Sequence, residues 1–234
     1  MHPLIFLILL AACTGGLALI WRYRVILIRH WREPVLKSPV VIIESDDWGP
    51  GPAEQYDRLV EICALLSRYH DRDRHPPVMT LGVVLGAPDA VAIQQGGFAH
   101  YQRVTLADHR YRELLAVLQD GVRQGVFALQ LHGMEHLWPP AFMRRAQQGG
   151  EVCRWLEQGD RAETETLPPA VQSRWIDGST LPAQSLDVTT IEVAAREEAT
   201  MFREIFGPSP TVAVPPTFIW NSAVERAWAA SGVR

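Results

Sequence analysis

The feature that most restricts the fold is a repeated alternation between short apolar runs and helix-periodic stretches. The run at 40–43, Val-Val-Ile-Ile, reads as a buried strand that ends in Glu44-Ser45-Asp46-Asp47. "PVMTLGVVLG" (77–86), "VFALQLHG" (126–133) and "PTVAVPP" (210–216) are further strand candidates. Between them lie helix patterns. Leu59, Ile62, Leu66 and Tyr69 share one helical face, as do Leu114, Leu115, Leu118 and Val122. Residues 189–208 open with a capping box from Thr189 to Glu192 and stop at Gly207-Pro208, and 222–232 form a last helix. Strands separated by amphipathic helices imply βα units and a parallel sheet, open or closed into a barrel. In either arrangement chemistry collects at the C-terminal ends of the strands, so the polar residues there are the candidates. Residues 149–187 have no strong period beyond a short helix near 152–156. A connection that long inside a compact domain is expected to be a functional lid or an insertion.

Residues 3–21 stand apart. They are uncharged and nearly continuously apolar, just long enough at about 1.5 Å per residue to cross a bilayer, and Arg22 and Arg24 close the run. A cleaved signal carries positive charge before its apolar core, whereas only His2 and the amino terminus precede this one. Leu10-Ala11-Ala12-Cys13 has the form of a lipoprotein cleavage box, but the apolar run continues past Cys13. The expected organisation is therefore a retained single-pass membrane anchor (1–24, with 4–21 in the bilayer), a linker (25–38) and one folded domain (39–234). Arg22, Arg24, Arg29 and Arg32 favour a cytoplasmic domain by the positive-inside bias, without fixing the side.

A formal net charge of −4, with basic residues spread along the chain, offers no electrostatic footprint for nucleic acid, and no such partner is expected. Cys13, Cys63 and Cys153 are odd in number and widely spaced, which fits neither a disulfide framework nor a CxxC knuckle; they read as buried small hydrophobes.

Three stretches carry candidate chemistry. Asp46 and Asp47 at a strand end repel each other unless a cation or hydrogen bonds compensate, and such a pair suits one metal-binding carboxylate beside one base. The bland reading is an acidic turn with Trp48 as a packing residue. In His132-Gly133-Met134-Glu135-His136 two imidazoles four apart can address one ion. Read literally it is also the inverted zincin pattern, with Glu135 as base and Glu197, Glu198 or Glu204 as third ligand. That pattern requires a stable helix, which Gly133 weakens by about 1 kcal/mol, and a strand runs straight into His132. Finally, Pro215 and Pro216 stiffen the exit from a strand, and Phe218 and Trp220 offer an apolar or sugar-stacking wall.

In this order the pieces resemble the NodB-homology polysaccharide deacetylases, carbohydrate esterase family 4 of the glycoside hydrolase/deacetylase superfamily. The family motifs T-F-D-D-G, H-[ST]-x-x-H and R-x-P-[YF] are matched by "ESDDWG", "HGMEH" and "VPPTF" over residues 40–234. The resemblance implies a distorted, seven-stranded (β/α) barrel. It implies that Asp47, His132 and His136 bind a divalent metal, zinc above all, that Asp46 is the general base, and that Trp48, Pro216, Phe218 and Trp220 contact substrate. The implied reaction releases acetate from an N-acetylated glycan or surface-polysaccharide precursor. This sequence departs from the pattern in several places. Trp48 is inserted before Gly49, Ser45 replaces an aromatic residue, Gly133 stands where the family has Ser or Thr, Val214 where it has arginine, and Thr217 takes an aromatic place. No histidine follows His136, although the family's catalytic acid is a histidine near the last strand. Residues 227–234 read as a helix end, a glycine cap and the start of another strand, so the domain is expected to be incomplete at its C-terminus. The competing readings are a catalytically inactive glycan-binding barrel, an HxxEH zinc metallopeptidase and a glycosidase on the related scaffold.

Overall fold

The computed structural model describes residues 3–34, 39–159 and 162–233. Met1 and His2 of the expected anchor, residues 35–38 of the expected linker, Asp160, Arg161 and Arg234 lie outside the described residues. The chain divides into two compact units, Met1–Val41 and Ile42–Arg234.

The first unit is built on one helix, α1 (Pro3–Arg32), long and apolar enough to cross a membrane. It continues past the expected end of the anchor, so residues 25–32 are helix and not linker. Val25, Ile26, Leu27 and Ile28 prolong the apolar run, and the stop comes just before Pro34, whose ring disfavours a helical Glu33.

The second unit is an α/β fold. Its elements are β1 (Ile43–Trp48), α2 (Glu54–Leu66), β2 (Met79–Val83), β3 (Gly86–Pro88), α3 (Ala90–Gln95), β4 (Arg103–Thr105), α4 (Arg112–Arg123) and β5 (Phe127–Leu131). There follow α5 (Pro139–Gln147), α6 (Glu151–Glu157), β6 (Ile176–Asp177), β7 (Gln184–Ser185), α7 (Val188–Phe206) and α8 (Ser222–Ala230). The central sheet runs β1-β2-β5, wholly parallel, and a single parallel bridge from Leu131 to Ala213 extends it. Order in the sheet thus follows order in the chain. The other two sheets are antiparallel pairs, β3-β4 and β6-β7.

The described residues do not form the expected seven-stranded barrel; the sheet is open. After β5 the chain goes into α5, α6, 3₁₀ turns and the β6-β7 pair instead of further parallel strands. The run at 210–216 makes only its one bridge because prolines 210, 215 and 216, which lack N–H donors, bracket it. The first strand begins at Ile43, leaving Val40, Val41 and Ile42 exposed, because Pro76 and Pro77 precede the partner strand. Its acidic residues accordingly lie inside the strand and not after it. The apolar run 77–86 divides into β2 and β3, and β3 turns away to pair with β4. At α7 the N-cap is Asp187, which accepts from the Thr190 backbone N–H at 3.0 Å and its hydroxyl at 2.6 Å, in place of the Thr189 box.

Part of each apolar helix face buries as its spacing predicts. Leu59 and Leu66 of α2 and Leu114 and Leu118 of α4 join Leu81, Val83, Leu131 and Phe202 in the main core. Each fully buried leucine contributes about 2 kcal/mol through the water it no longer contacts. Tyr69 and Val122 fall outside this core and are exposed. Of the cysteines only Cys63 is buried; Cys153 is half-buried and Cys13 exposed. The long polar connection is itself packed: Trp155, Leu156, Leu167 and Val171 share a second core with Ile93, Leu137 and Phe142.

Candidate metal centre

In a regular strand, adjacent side chains point to opposite faces, so Asp46 and Asp47 would not share a cavity. The backbone of β1 breaks that rule. Its register with β2 slips between Ser45 and Trp48, and Asp47 has a φ of 68°, in the left-handed region that aspartate tolerates better than most residues. Both carboxylates consequently line one cleft of about 410 Å³. Asp46 lies over Gly82 of β2, so close that a Cβ on Gly82 would come within 2.2 Å of its Oδ1. A glycine is required there by the carboxylate above it.

The histidines come from the end of β5. His132 is placed by sheet hydrogen bonding, its N–H donating to the Val83 carbonyl at 2.8 Å. The segment that follows is a turn and not a helix, and Gly133 takes a φ of 99°, which explains glycine where the resembled family has Ser or Thr. Backbone N–H groups of Leu85 and Gly86 pin this turn through the Gly133 and Met134 carbonyls, at 3.1 and 2.6 Å. His136 is thereby folded back toward His132, with ring centroids 5.2 Å apart.

His132 Nε2 and His136 Nε2 lie 3.2 and 3.4 Å from the same oxygen, Oδ1 of Asp47. One ligand atom from each residue lies within 4.8 Å of the other two, and both histidines are buried. His132 Nδ1 meets the Val214 carbonyl at 2.9 Å, which fixes the proton on that nitrogen and leaves the Nε2 lone pair toward Asp47. His132 Nε2, His136 Nε2 and Asp47 Oδ1 point at one another, and Asp47 Oδ1, though buried, has no hydrogen-bond partner of ordinary geometry. Lone pairs that converge without a donor between them are the donor set a divalent cation satisfies, and these residues fit one. Burial works to raise the Asp47 carboxyl, but the closeness of the two imidazoles, His132 foremost, holds it below the usual carboxylate range. Burial pushes the His136 imidazole below the ordinary histidine value, and Asp47 offsets this only in part, so His136 favours the neutral, metal-ligating form.

Glu135 is not part of this set. Fully buried, it accepts from the guanidinium groups of Arg103 and Arg174, the latter at 2.6 Å, and from the Tyr101 hydroxyl at 3.2 Å. Glu198 is fully buried as well. It accepts from the Met134 N–H at 3.0 Å and the Trp228 indole at 2.6 Å, with Arg174 Nε 3.8 Å away. Glu197 pairs with Arg103 at 2.6 Å, and Glu204 is exposed. None of the four glutamates open to a zincin-type role, Glu135, Glu197, Glu198 and Glu204, joins the histidines; Glu135 and Glu198 brace the turn between the histidines instead. Burial pushes the Glu198 carboxyl up to about 7, against the pull of Arg174.

Of the expected substrate contacts, Trp48 lines the Asp46/Asp47 cleft, with its indole nitrogen buried and unpartnered. Pro216 is buried beside Gly133. Phe218 and Trp220 are exposed and do not line that cleft, Trp220 donating to Glu225 at 2.9 Å. Sequence reasoning did not find Gly82, Arg103, Glu165 or Arg174. Glu165 also lines the cleft. A scan against models of protein families, a search of curated proteins and a search of solved structures each gave no match.

Proposed function

We propose that this chain is a membrane-anchored, metal-dependent deacetylase of N-acetylated sugars, with zinc as the metal. The observation that carries the reading is the convergence of Asp47, His132 and His136 beside a second carboxylate, Asp46, on the same cleft. Two imidazoles and one carboxylate form a ligand set suited to zinc that leaves a coordination position for substrate or water. A cation held there supplies Lewis acidity, acidifying water and polarising an acyl oxygen. Asp46, seated over Gly82 and outside the ligand set, is the general base that takes up the proton of the attacking water. Trp48, Glu163 and Glu165 also line the cleft.

The peptidase reading draws no support from Glu135, whose oxygens are taken up by two arginines and a tyrosine. Helix α1 serves as the membrane anchor.

The test is acetate release from N-acetylated chito-oligosaccharides by the full-length protein in detergent with zinc supplied. The expected outcome is acetate without new reducing ends, and its loss in Asp46→Asn at unchanged metal content. New reducing ends would point to a glycosidase, and an Asp46→Asn variant as active as wild type would remove the proposed base.

A further inference from the structure

At about 1.5 Å per residue, residues 3–21 of α1 extend about 28 Å, close to the thickness of a bilayer's hydrocarbon core. The helix does not end there. Residues 22–32 prolong it by about 16 Å, enough to pass through the headgroup layer at the C-terminal end of the span. This extension carries Arg22, Arg24, Arg29 and Arg32, with Trp21 at its start and Tyr23 and Trp31 within it, and all seven are exposed. The Arg24 guanidinium lies 4.7 Å from the centre of the Trp21 ring and donates to the Trp21 carbonyl at 3.1 Å, and that of Arg22 lies 5.7 Å from the Tyr23 ring. Aromatic rings of this kind favour the membrane interface, so these contacts hold two cations at its level. Arg29 stands seven residues after Arg22 and three before Arg32, which puts these three on one helical face.

None of the four cations meets a carboxylate. Among the described residues no guanidinium of α1 is in an ion pair, and Glu33, the first acidic residue of the chain, lies 3.2 Å from His30. The remaining 18 basic and 26 acidic residues leave a formal −8 on the rest of the chain, against +4 on residues 1–32. Positive charge is thus gathered where the helix leaves the bilayer. A zwitterionic headgroup brings its own cation to its phosphate, whereas an anionic one leaves the phosphodiester oxygens to a guanidinium fork that matches them. Between the two arginine pairs, Val25, Ile26, Leu27 and Ile28 form an exposed apolar turn, which a tilted helix seats against acyl chains.

We propose that residues 21–32 form a binding surface for anionic phospholipids, whose headgroup phosphodiesters take the four guanidinium groups. This rests on reading α1 as the membrane anchor, and it gives that anchor a choice of lipid in addition to its hold on the bilayer.

The test reconstitutes the full-length protein in phosphatidylcholine bilayers with a trace of spin-labelled phosphatidylglycerol or spin-labelled phosphatidylcholine, and electron paramagnetic resonance reads the share of label immobilised at the protein. Wild type is expected to prefer phosphatidylglycerol by about fivefold or more, and to lose most of that preference in about 1 M salt. Replacing all four arginines with Gln is expected to bring the two lipids to parity, while four lysines keep most of the preference. Arg29→Gln with Arg32→Gln is expected to reduce it by about half or more. That variant retains Arg22 and Arg24 to close the span, so altered insertion does not imitate the result. Arg112→Gln with Arg123→Gln, exposed cations of α4, is expected to change nothing. Equal immobilisation of both lipids by wild type, or a preference that survives all four Gln substitutions, overturns the proposal; so does its loss to inorganic phosphate at matched ionic strength, which would mark a site for free anions. Extraction with alkaline carbonate separates the two readings. Protein that stays in the bilayer without a lipid preference loses only the lipid site, and protein that washes out loses the anchor as well.

Discussion

The Nδ1 of His132 meets the carbonyl oxygen of Val214 at 2.9 Å, so the ring is oriented from outside the site by a residue that contributes only its backbone. In the resembled family an arginine occupies the place of Val214, and here that position acts on the imidazole instead. Asparagine places an amide nitrogen near where Nδ1 lies but has nothing at Nε2. His132→Asn is therefore expected to fold with the Val214 hydrogen bond intact and to lose stoichiometric zinc, measured by elemental analysis after dialysis. Full zinc retention in that variant would remove His132 from the ligand set.

Gly82→Ala is expected to hurt turnover while sparing the metal. The new methyl group would overlap Asp46 Oδ1 at 2.2 Å, and the carboxylate has to move. Displacing a reacting group by about 1 Å costs on the order of a hundredfold in rate. The expected pair of results is acetate release down about a hundredfold and zinc content unchanged.

Glu135→Gln separates a brace from a base. Removing this charge leaves the buried Arg174 and the part-buried Arg103 against a neutral amide, and breaking a buried pair such as Glu135–Arg174 costs about 3 kcal/mol or more. Urea unfolding is expected to shift to lower midpoint at unchanged slope. Lost activity at unchanged stability is what a general base in this position would give.

Glu198 makes stability depend on pH. Its folded pKa is raised from 4.5 to about 7, so between those values the folded protein holds a proton that the unfolded chain has released. Stability from this group is fully present below about 4.5, falls as pH rises, and is lost above about 7. At about 1.4 kcal/mol per unit, the change amounts to about 3 kcal/mol. Subtracting the Glu198→Gln profile from wild type isolates it from His136, whose lowered pKa acts in the opposite sense, favouring stability as pH rises toward the ordinary histidine range. A difference profile that is flat from pH 4.5 to 7 would contradict the assignment.

The residues that could hold a metal were legible because each sits at or just after the end of a strand pattern, and the parallel sheet followed from the alternation of runs. How adjacent aspartates come to share a cavity was not legible, since the slipped register of β1 leaves no mark in hydrophobic spacing. The role of Glu135 was hidden for a different reason. Its partners Arg103 and Arg174 lie 32 and 39 residues away, in stretches without a period, and only tertiary packing brings them to it. The barrel expectation failed on residues whose local chemistry is plain: prolines 210, 215 and 216 limit their segment to one bridge.

The left-handed backbone at Asp47 also sets which sequences this site can drift into. Of the residues that bind zinc, Glu and Cys rarely accept that conformation, and His and Asn accept it but bring no negative charge. A lineage of such chains would then hold this position to Asp more tightly than metal chemistry alone requires, and a change here to Glu, harmless by ligand type, would be purged through the main chain.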